Sequence, residues 1–133
     1  MNSMGEQGKD DKAGRNPAGA LTSFTLEEAL RTARATPQWA SGDRFANSLV
    51  KHRDFTITLM LLRKGAQLNE HRARGSISVQ LLAGAIRFAA AGAVKDLHAG
   101  MMCVLDAEIP HAVEAVEESA ILLTAALPPA ASS

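Results

Sequence analysis

Residues 65–84 read GAQLNEHRARGSISVQLLAG, and how this stretch is read decides the fold. It runs from Gly65 through a strand end into a turn carrying His71, then through the apolar segment ISVQLL to a second turn at Gly84. Within that segment Ile77, Val79 and Leu81 alternate with Ser78 and Gln80, the period of a strand with one buried face. Gln80 should therefore face away from whatever the other three line. Residues 98–115, HAGMMCVLDAEIPHAVEA, repeat the same grammar: a glycine turn at Gly100, an apolar run, then Pro110 and His111. Two histidines presented by neighbouring strands predict one pocket holding both imidazoles.

Working outward, the period of two continues on both sides. In RDFTITLMLLRKG, residues 53–65, the apolar Phe55, Ile57, Leu59 and Leu61 alternate with Asp54, Thr56 and Thr58, which predicts a half-buried strand. IRFAAAGAV doubles back around Gly92, MMCVL follows Gly100, and AILLTAAL ends at Pro128 and Pro129, which cannot continue a ladder. Short strands, glycine-bearing turns and no helical period between them predict an all-β antiparallel sandwich or barrel of roughly six to eight strands. The acidic segment VEAVEES reads as a charged outer or edge strand. One short helix precedes the strands: Thr25 and Glu28 form a capping-box pattern, Leu26, Ala29, Leu30 and Ala33 share a stripe, and Pro37 stops it. That stripe is narrow, so the helix should lie across the outside of a larger body, with Trp39 anchoring the loop that follows. Residues 1–22 have almost nothing to bury and are expected to be a disordered tail. Residues 23–133 are expected to form one domain, with its barrel core at about 44–127.

Charge and composition exclude several classes. Fourteen basic residues balance fourteen acidic ones. Residues 21–75 carry nine Lys/Arg against five Asp/Glu, a net of +4, while residues 76–133 carry two against six, a net of −4. A nucleic-acid binder concentrates positive charge with few acids nearby. Here the halves compensate one another across a sheet or a subunit interface, so no nucleic-acid partner is expected. No apolar run approaches the roughly 20 residues of a membrane span, and the N-terminus lacks the apolar centre of a secretion signal. The lone cysteine, Cys103, excludes an intramolecular disulfide and reads as a buried thiol. A cytoplasmic, reduced protein without membrane contact is the expectation.

The two histidine stretches resemble the paired motifs of the cupin family, the RmlC-like jelly rolls of the cupin-2 conserved-barrel type. The first motif of that family runs Gly, five residues, His-x-His, three or four residues, Glu, six residues, Gly. Gly65, His71 and Gly84 fall on it. The second ends in a turn with proline before its histidine, matched by Gly100 and Ile109-Pro110-His111. The resemblance covers about residues 44–127. It implies an antiparallel jelly-roll β-barrel, ligands pointing into the barrel, a small-molecule ligand and a homodimer. It also implies a divalent metal, whether iron, manganese, zinc or nickel.

The departures bear on that metal. Ala73 stands at the place of the second motif-one histidine and Ile77 at the place of the glutamate, so two of the four ligand positions are apolar. Glu108 replaces the glycine usual three residues before the second-motif histidine. Two neutral imidazoles hold a divalent ion weakly, because catalytic sites generally use three protein ligands. The expected site is therefore a pocket lined by His71, Ala73, Ile77 and His111, with His71 and His111 as metal ligands if a metal binds, and Glu108 as the spare carboxylate. His52, beside Lys51 and Arg53, and His98, before Gly100, read as solvated. Glu70 adjoins His71 and should face the other way. Arg72, Arg74 and Lys64 form a basic cluster at the expected barrel mouth, and Met60, Met101 and Met102 read as core or interface filler.

Three functions follow as expectations. The first is a small-molecule-binding cupin with an incomplete metal site. The second is a metal-dependent enzyme of dioxygenase or isomerase type using His71 and His111, and the third is a ligand-sensing dimeric module. Neither a phosphate loop nor a nucleophile elbow occurs, and one helix cannot make a helix-turn-helix. The residues do not decide whether the protein is an enzyme.

Overall fold

The computed structural model describes residues 20–128; the N-terminal part of the expected tail lies outside them. Two helices come first, α1 (Leu26–Arg34) and α2 (Pro37–Ser41). Nine strands follow: β1 (Arg44–Lys51), β2 (Phe55–Leu62), β3 (Gln67–His71), β4 (Ile77–Ala83), β5 (Ala85–Ala90), β6 (Ala93–His98), β7 (Met102–Leu105), β8 (His111–Ala115) and β9 (Ser119–Ala126). They form a five-stranded sheet in the order β1-β2-β9-β4-β7 and a four-stranded sheet in the order β3-β8-β5-β6, with antiparallel pairings throughout. From β2 to β5 the chain alternates between sheets, and β8 and β9 return between strands laid down earlier. That is the jelly-roll pattern.

The barrel core lies between the sheets. Ile77, Val79 and Leu81 of β4 meet Ile86 and Phe88 of β5, Leu97 of β6, Val113 and Ala115 of β8 and Ile121 of β9, all buried. Gln80, out of phase with them, is half-buried on the opposite face, as its position in the alternation requires. A second cluster covers the outside of the five-stranded sheet. Here Ala33 and Trp39 of the helices pack on Leu49, Val50, Leu59, Leu61 and Ala120, with Leu26, Ala29 and Leu30 against them. The apolar positions Phe55, Ile57, Leu59 and Leu61 therefore face the helices. Met60 and Leu62 on the other side of β2 belong to the barrel core. Covered on both faces, the strand loses its polar alternation after Thr58.

The helical layer differs from expectation in two respects. Thr25 is the N-cap of α1, but its side chain makes no cap bond. The first-turn Glu27 and Glu28 and the last-turn Arg31 and Arg34 complement the helix dipole instead. Pro37 ends α1 and also opens α2, because proline's fixed φ and missing N–H suit the first helical position. The Thr36 hydroxyl oxygen accepts from the Trp39 backbone N–H at 3.3 Å. Trp39 is an anchor, 4% exposed, yet it belongs to α2. Arg63 holds it from beneath. Its guanidinium carbon lies 4.0 Å from the ring centre, and its N–H groups donate to Trp39 O at 2.8 Å and Gly42 O at 3.3 Å.

Other expectations are corrected by the pairing. β1 and β3 are strands that the sequence did not separate from their turns. The acidic segment is no edge: β8 lies between β3 and β5, with Glu114 on the outer face of the sheet and Val116–Glu118 exposed in the turn beyond it. Met101 and Met102 are 42% and 59% exposed and fill no core, whereas Met60 does. Cys103 is half-buried, with its side chain against the barrel core. No described helix is long and apolar enough to cross a membrane.

Gly84 closes the β4–β5 turn at φ +90°, and a Cβ there would lie 2.2 Å from Glu118 O and 2.5 Å from Ser119 Oγ. Both conformation and space demand glycine at that motif position.

Candidate functional site

His71 is the last residue of β3 and His111 the first of β8, and the two are direct cross-strand partners. The register between them is not regular. Leu68 pairs with Val113, so an unbroken ladder would set Glu70 opposite His111; a bulge at Asn69 and Glu70 sets His71 there. One extra residue flips the side of the sheet each following side chain takes. The bulge thus turns the imidazole to the barrel side and the Glu70 carboxylate away.

The imidazole rings lie 4.3 Å apart between centroids, tilted by 57°. His111 also stacks on Phe88, at 5.7 Å and 25°. It follows the inward alternation of β8, where His111, Val113 and Ala115 are buried, and keeps 5% of its surface. His71 is exposed. Each ring is tethered in the same way: Nδ1 of His71 lies 3.2 Å from Asn69 O, and Nδ1 of His111 lies 3.0 Å from Ile109 O. A carbonyl oxygen can only accept, so in each of these contacts Nδ1 is the donor. No buried side-chain nitrogen or oxygen lacks a partner among the described residues. Nε2 of His111 has no partner in the described hydrogen bonds, so it must reach the surface.

Ile77 opens β4 and is buried in the barrel core, and Ala73 packs against the same core from the loop before it. Glu108 is exposed and takes φ +66°, the left-handed conformation natural to the glycine it replaces. Its backbone N–H donates to Ala73 O at 2.8 Å, which staples the two motif loops together. Arg72 and Arg74 are exposed at this end. Lys64 is not with them: Gly65 N–H donates to Ala115 O, placing Lys64 at the far end of β3. His52 and His98 are exposed, in the β1–β2 turn and at the end of β6. His52 stacks on Phe55 at 5.0 Å, and its Nδ1 accepts from Asp54 N–H at 3.3 Å.

The donor set does not suit a tightly held divalent ion. No group of three or more His, Cys, Asp or Glu able to hold a metal occurs among the described residues, and the two missing ligand positions are hydrocarbon. Glu108 does not join the histidines in such a group. The resolved charge effect is remote and exposed: Arg44 donates to Asp43 at 2.9 Å and holds that carboxyl below the usual carboxylate range. A shallow groove outside the four-stranded sheet, lined by Gln67, Asn69, Glu70, Arg87, Ala112 and Glu114, includes neither His71 nor His111.

Phe88 is the site residue that sequence reading missed. The signal was present, because Ile86, Phe88 and Ala90 alternate. The partnership with His111 depends on β5 pairing β8, with Ala90 opposite His111.

Fold and site together define a two-sheet jelly roll with paired imidazoles at one end of its barrel. No protein-family model matches the chain, and no curated protein does. Solved structures do. It is similar to a conserved protein of unknown function from Streptococcus pyogenes, at 30% identity over 68% of this chain and 79% of that one, with a TM-score of 0.63. It is similar to a cupin 2 conserved barrel domain protein from Leptotrichia buccalis, at 32% identity over 65% of this chain and 42% of that one, TM-score 0.62. A cupin superfamily protein from Desulfitobacterium hafniense DCB-2 shares the fold at 16% identity over 64% and 78%, TM-score 0.62. This chain belongs to the cupin family of RmlC-like jelly-roll proteins.

Proposed function

We propose that this cupin binds a small organic molecule at the His71–His111 pair, with no metal ion needed to hold it. The observation that carries the reading is His111: nine-tenths buried, stacked on Phe88, and left with a free Nε2 beside a second imidazole. Burial and stacking fix the ring while this nitrogen reaches the surface, so it is presented to a ligand in a set orientation. The exposed end of the pair and the half-buried apolar Ala73 beside it offer a polar contact and an apolar one to the same ligand.

The test is histidine-selective NMR during titration with a collection of small fragments. Binding fragments should shift His71 and His111 and leave His52 and His98 in place, and His111→Phe should abolish the response. The rival reading is a metal-dependent enzyme. Protein purified without chelator that carries stoichiometric iron, manganese, zinc or nickel, lost in His71→Ala, would replace our reading by that one. Restoring both missing ligands with Ala73→His and Ile77→Glu should raise affinity for zinc or nickel by at least about tenfold, as calorimetry would show. The homodimer implied by the family is part of the proposal, and sizing at micromolar concentration checks it.

A further inference from the structure

Among the described residues the two sheets end in four edge strands, β1 and β7 of the larger sheet and β3 and β6 of the smaller. Three of them are guarded. β1 carries Arg44 and Lys51 and a bulge near Leu49, β3 carries Glu70 and its own bulge, and β6 carries Lys95 and Asp96. Charges and bulges of this kind keep an edge from adding another strand. β7, Met-Cys-Val-Leu, has no charge and an unbroken register against β4. Its outward side chains are apolar and open, Met102 at 59% and Val104 at 69% exposure. We propose that β7 is where two copies of this chain meet, pairing antiparallel with itself about a two-fold axis at Cys103. This assigns the contact of the homodimer proposed above and rests on that reading.

The backbone supplies matching groups. Leu81 N–H donates to Met101 O, and Leu81 O accepts from Gly100 N–H, each at 2.9 Å. Bonded and unbonded positions alternate along an antiparallel ladder. The bonded pairs between β4 and β7 are therefore Val79 with Cys103 and Ile77 with Leu105. Met102 and Val104 turn their N–H and C=O groups the other way, to the open edge. No described backbone bond outside the ladder takes them.

A second copy turned about Cys103 meets these groups one for one. Met102 of each copy stands opposite Val104 of the other, and both pairs are bonded. A register offset by one residue fails, because it sets bonded positions against unbonded ones. Charge favours the same arrangement. Asp106, just past the end of β7, falls opposite Gly100 of the second copy, whereas a parallel copy would set Asp106 beside Asp106. Ser78 and Gln80, the β4 partners of Val104 and Met102, are uncharged as well. The larger sheet then runs unbroken through both molecules.

The experiment is sedimentation of the full chain at micromolar concentration, with circular dichroism to confirm folding. Wild type should sediment as a dimer. Val104→Lys and Met102→Glu, both at exposed positions, should each weaken it at least about tenfold, because each leaves a charge against an apolar side chain. An equimolar mixture of the two variants should dimerise again, since the two introduced charges then stand opposite each other. Directly opposed unbonded residues lie about 4.5 Å apart at Cα, within reach of a disulfide. Diamide, which oxidises two thiols to a disulfide, should therefore join wild-type copies through Cys103 and leave Val104→Lys unjoined. Should a variant unfold, this arm decides alone.

A monomeric wild type removes the homodimer and this contact together, and leaves β7 to a strand of another protein; ligand response at the histidines is untouched by that result. A dimer that both variants leave unchanged keeps the homodimer and overturns β7 as its contact. Variants that stay monomeric when mixed, or a dimer that diamide does not join, overturn the pairing about Cys103.

Discussion

Among the described residues the fold buries two polar side chains, His111 and Ser119, at opposite ends of the barrel. Ser119 is completely satisfied by the chain. Its hydroxyl donates toward Glu117 O at 2.8 Å and Ala85 O at 3.1 Å and accepts from Ala85 N–H at 3.1 Å. It joins the β4–β5 turn to the start of β9 and closes that end. His111 satisfies one nitrogen and leaves the other free. Burial alone thus does not mark a functional residue. A buried polar group held wholly by the chain reads as structure, and one that keeps a nitrogen at the surface is a candidate for binding.

That contrast can be broken by experiment. The largest effect is expected at the closed end. Gly84→Ala must place a Cβ 2.2 Å from Glu118 O in a left-handed backbone, and should cost about 3 kcal/mol in urea unfolding, with unfolded protein as the extreme. Ser119→Ala leaves the Ala85 N–H without its acceptor and should cost about 2 kcal/mol. His111→Phe retains the stack on Phe88 and should change stability by less than about 1 kcal/mol while ligand response disappears. A loss there as large as that of Ser119→Ala would show both residues to be structural, and the contrast would be gone.

Smaller effects sharpen it further. Arg63→Met removes the guanidinium from Trp39 and frees Trp39 O and Gly42 O, so thermal unfolding should report a loss of about 1.5 kcal/mol. At the other end the sign reverses. Glu108→Gly relieves a left-handed glutamate and should stabilise the protein by about 0.5 kcal/mol, leaving fragment binding at the histidines unchanged. Destabilisation in that variant would mean that the Glu108 side chain, and not only its backbone N–H, holds the mouth together.

Much of this was legible in the residues because it is local. The glycines at 65 and 84 stand where φ is +88° and +90°, and their spacing from His71 carries the family pattern. The replacement of two ligand positions by Ala73 and Ile77 is equally plain, and both side chains do pack on the barrel core. Reading failed where local sequence looks alike for different partners. Phe55, Ile57, Leu59 and Leu61 announce a buried face without saying that helices cover it. The charges of VEAVEES suggest an edge, although β8 is central and its acids emerge at the outer face and in the turn beyond it. Lys64 was drawn to the histidine because it is near in sequence, but the whole of β3 separates them.

The sequence by itself determined the antiparallel β-fold, since that follows from residue type and period, and its resemblance to the cupin motifs implied the jelly roll, the two candidate histidines and the loss of two metal-ligand positions. Only the tertiary structure decided that a bulge sets His71 directly opposite His111, that Phe88 stacks on His111 and that each Nδ1 lies against a carbonyl two residues earlier. The physical reason is that register and bulges arise from pairing between distant strands. The period of two is unchanged by a slip of one residue, yet that slip exchanges an imidazole for a carboxylate at the site.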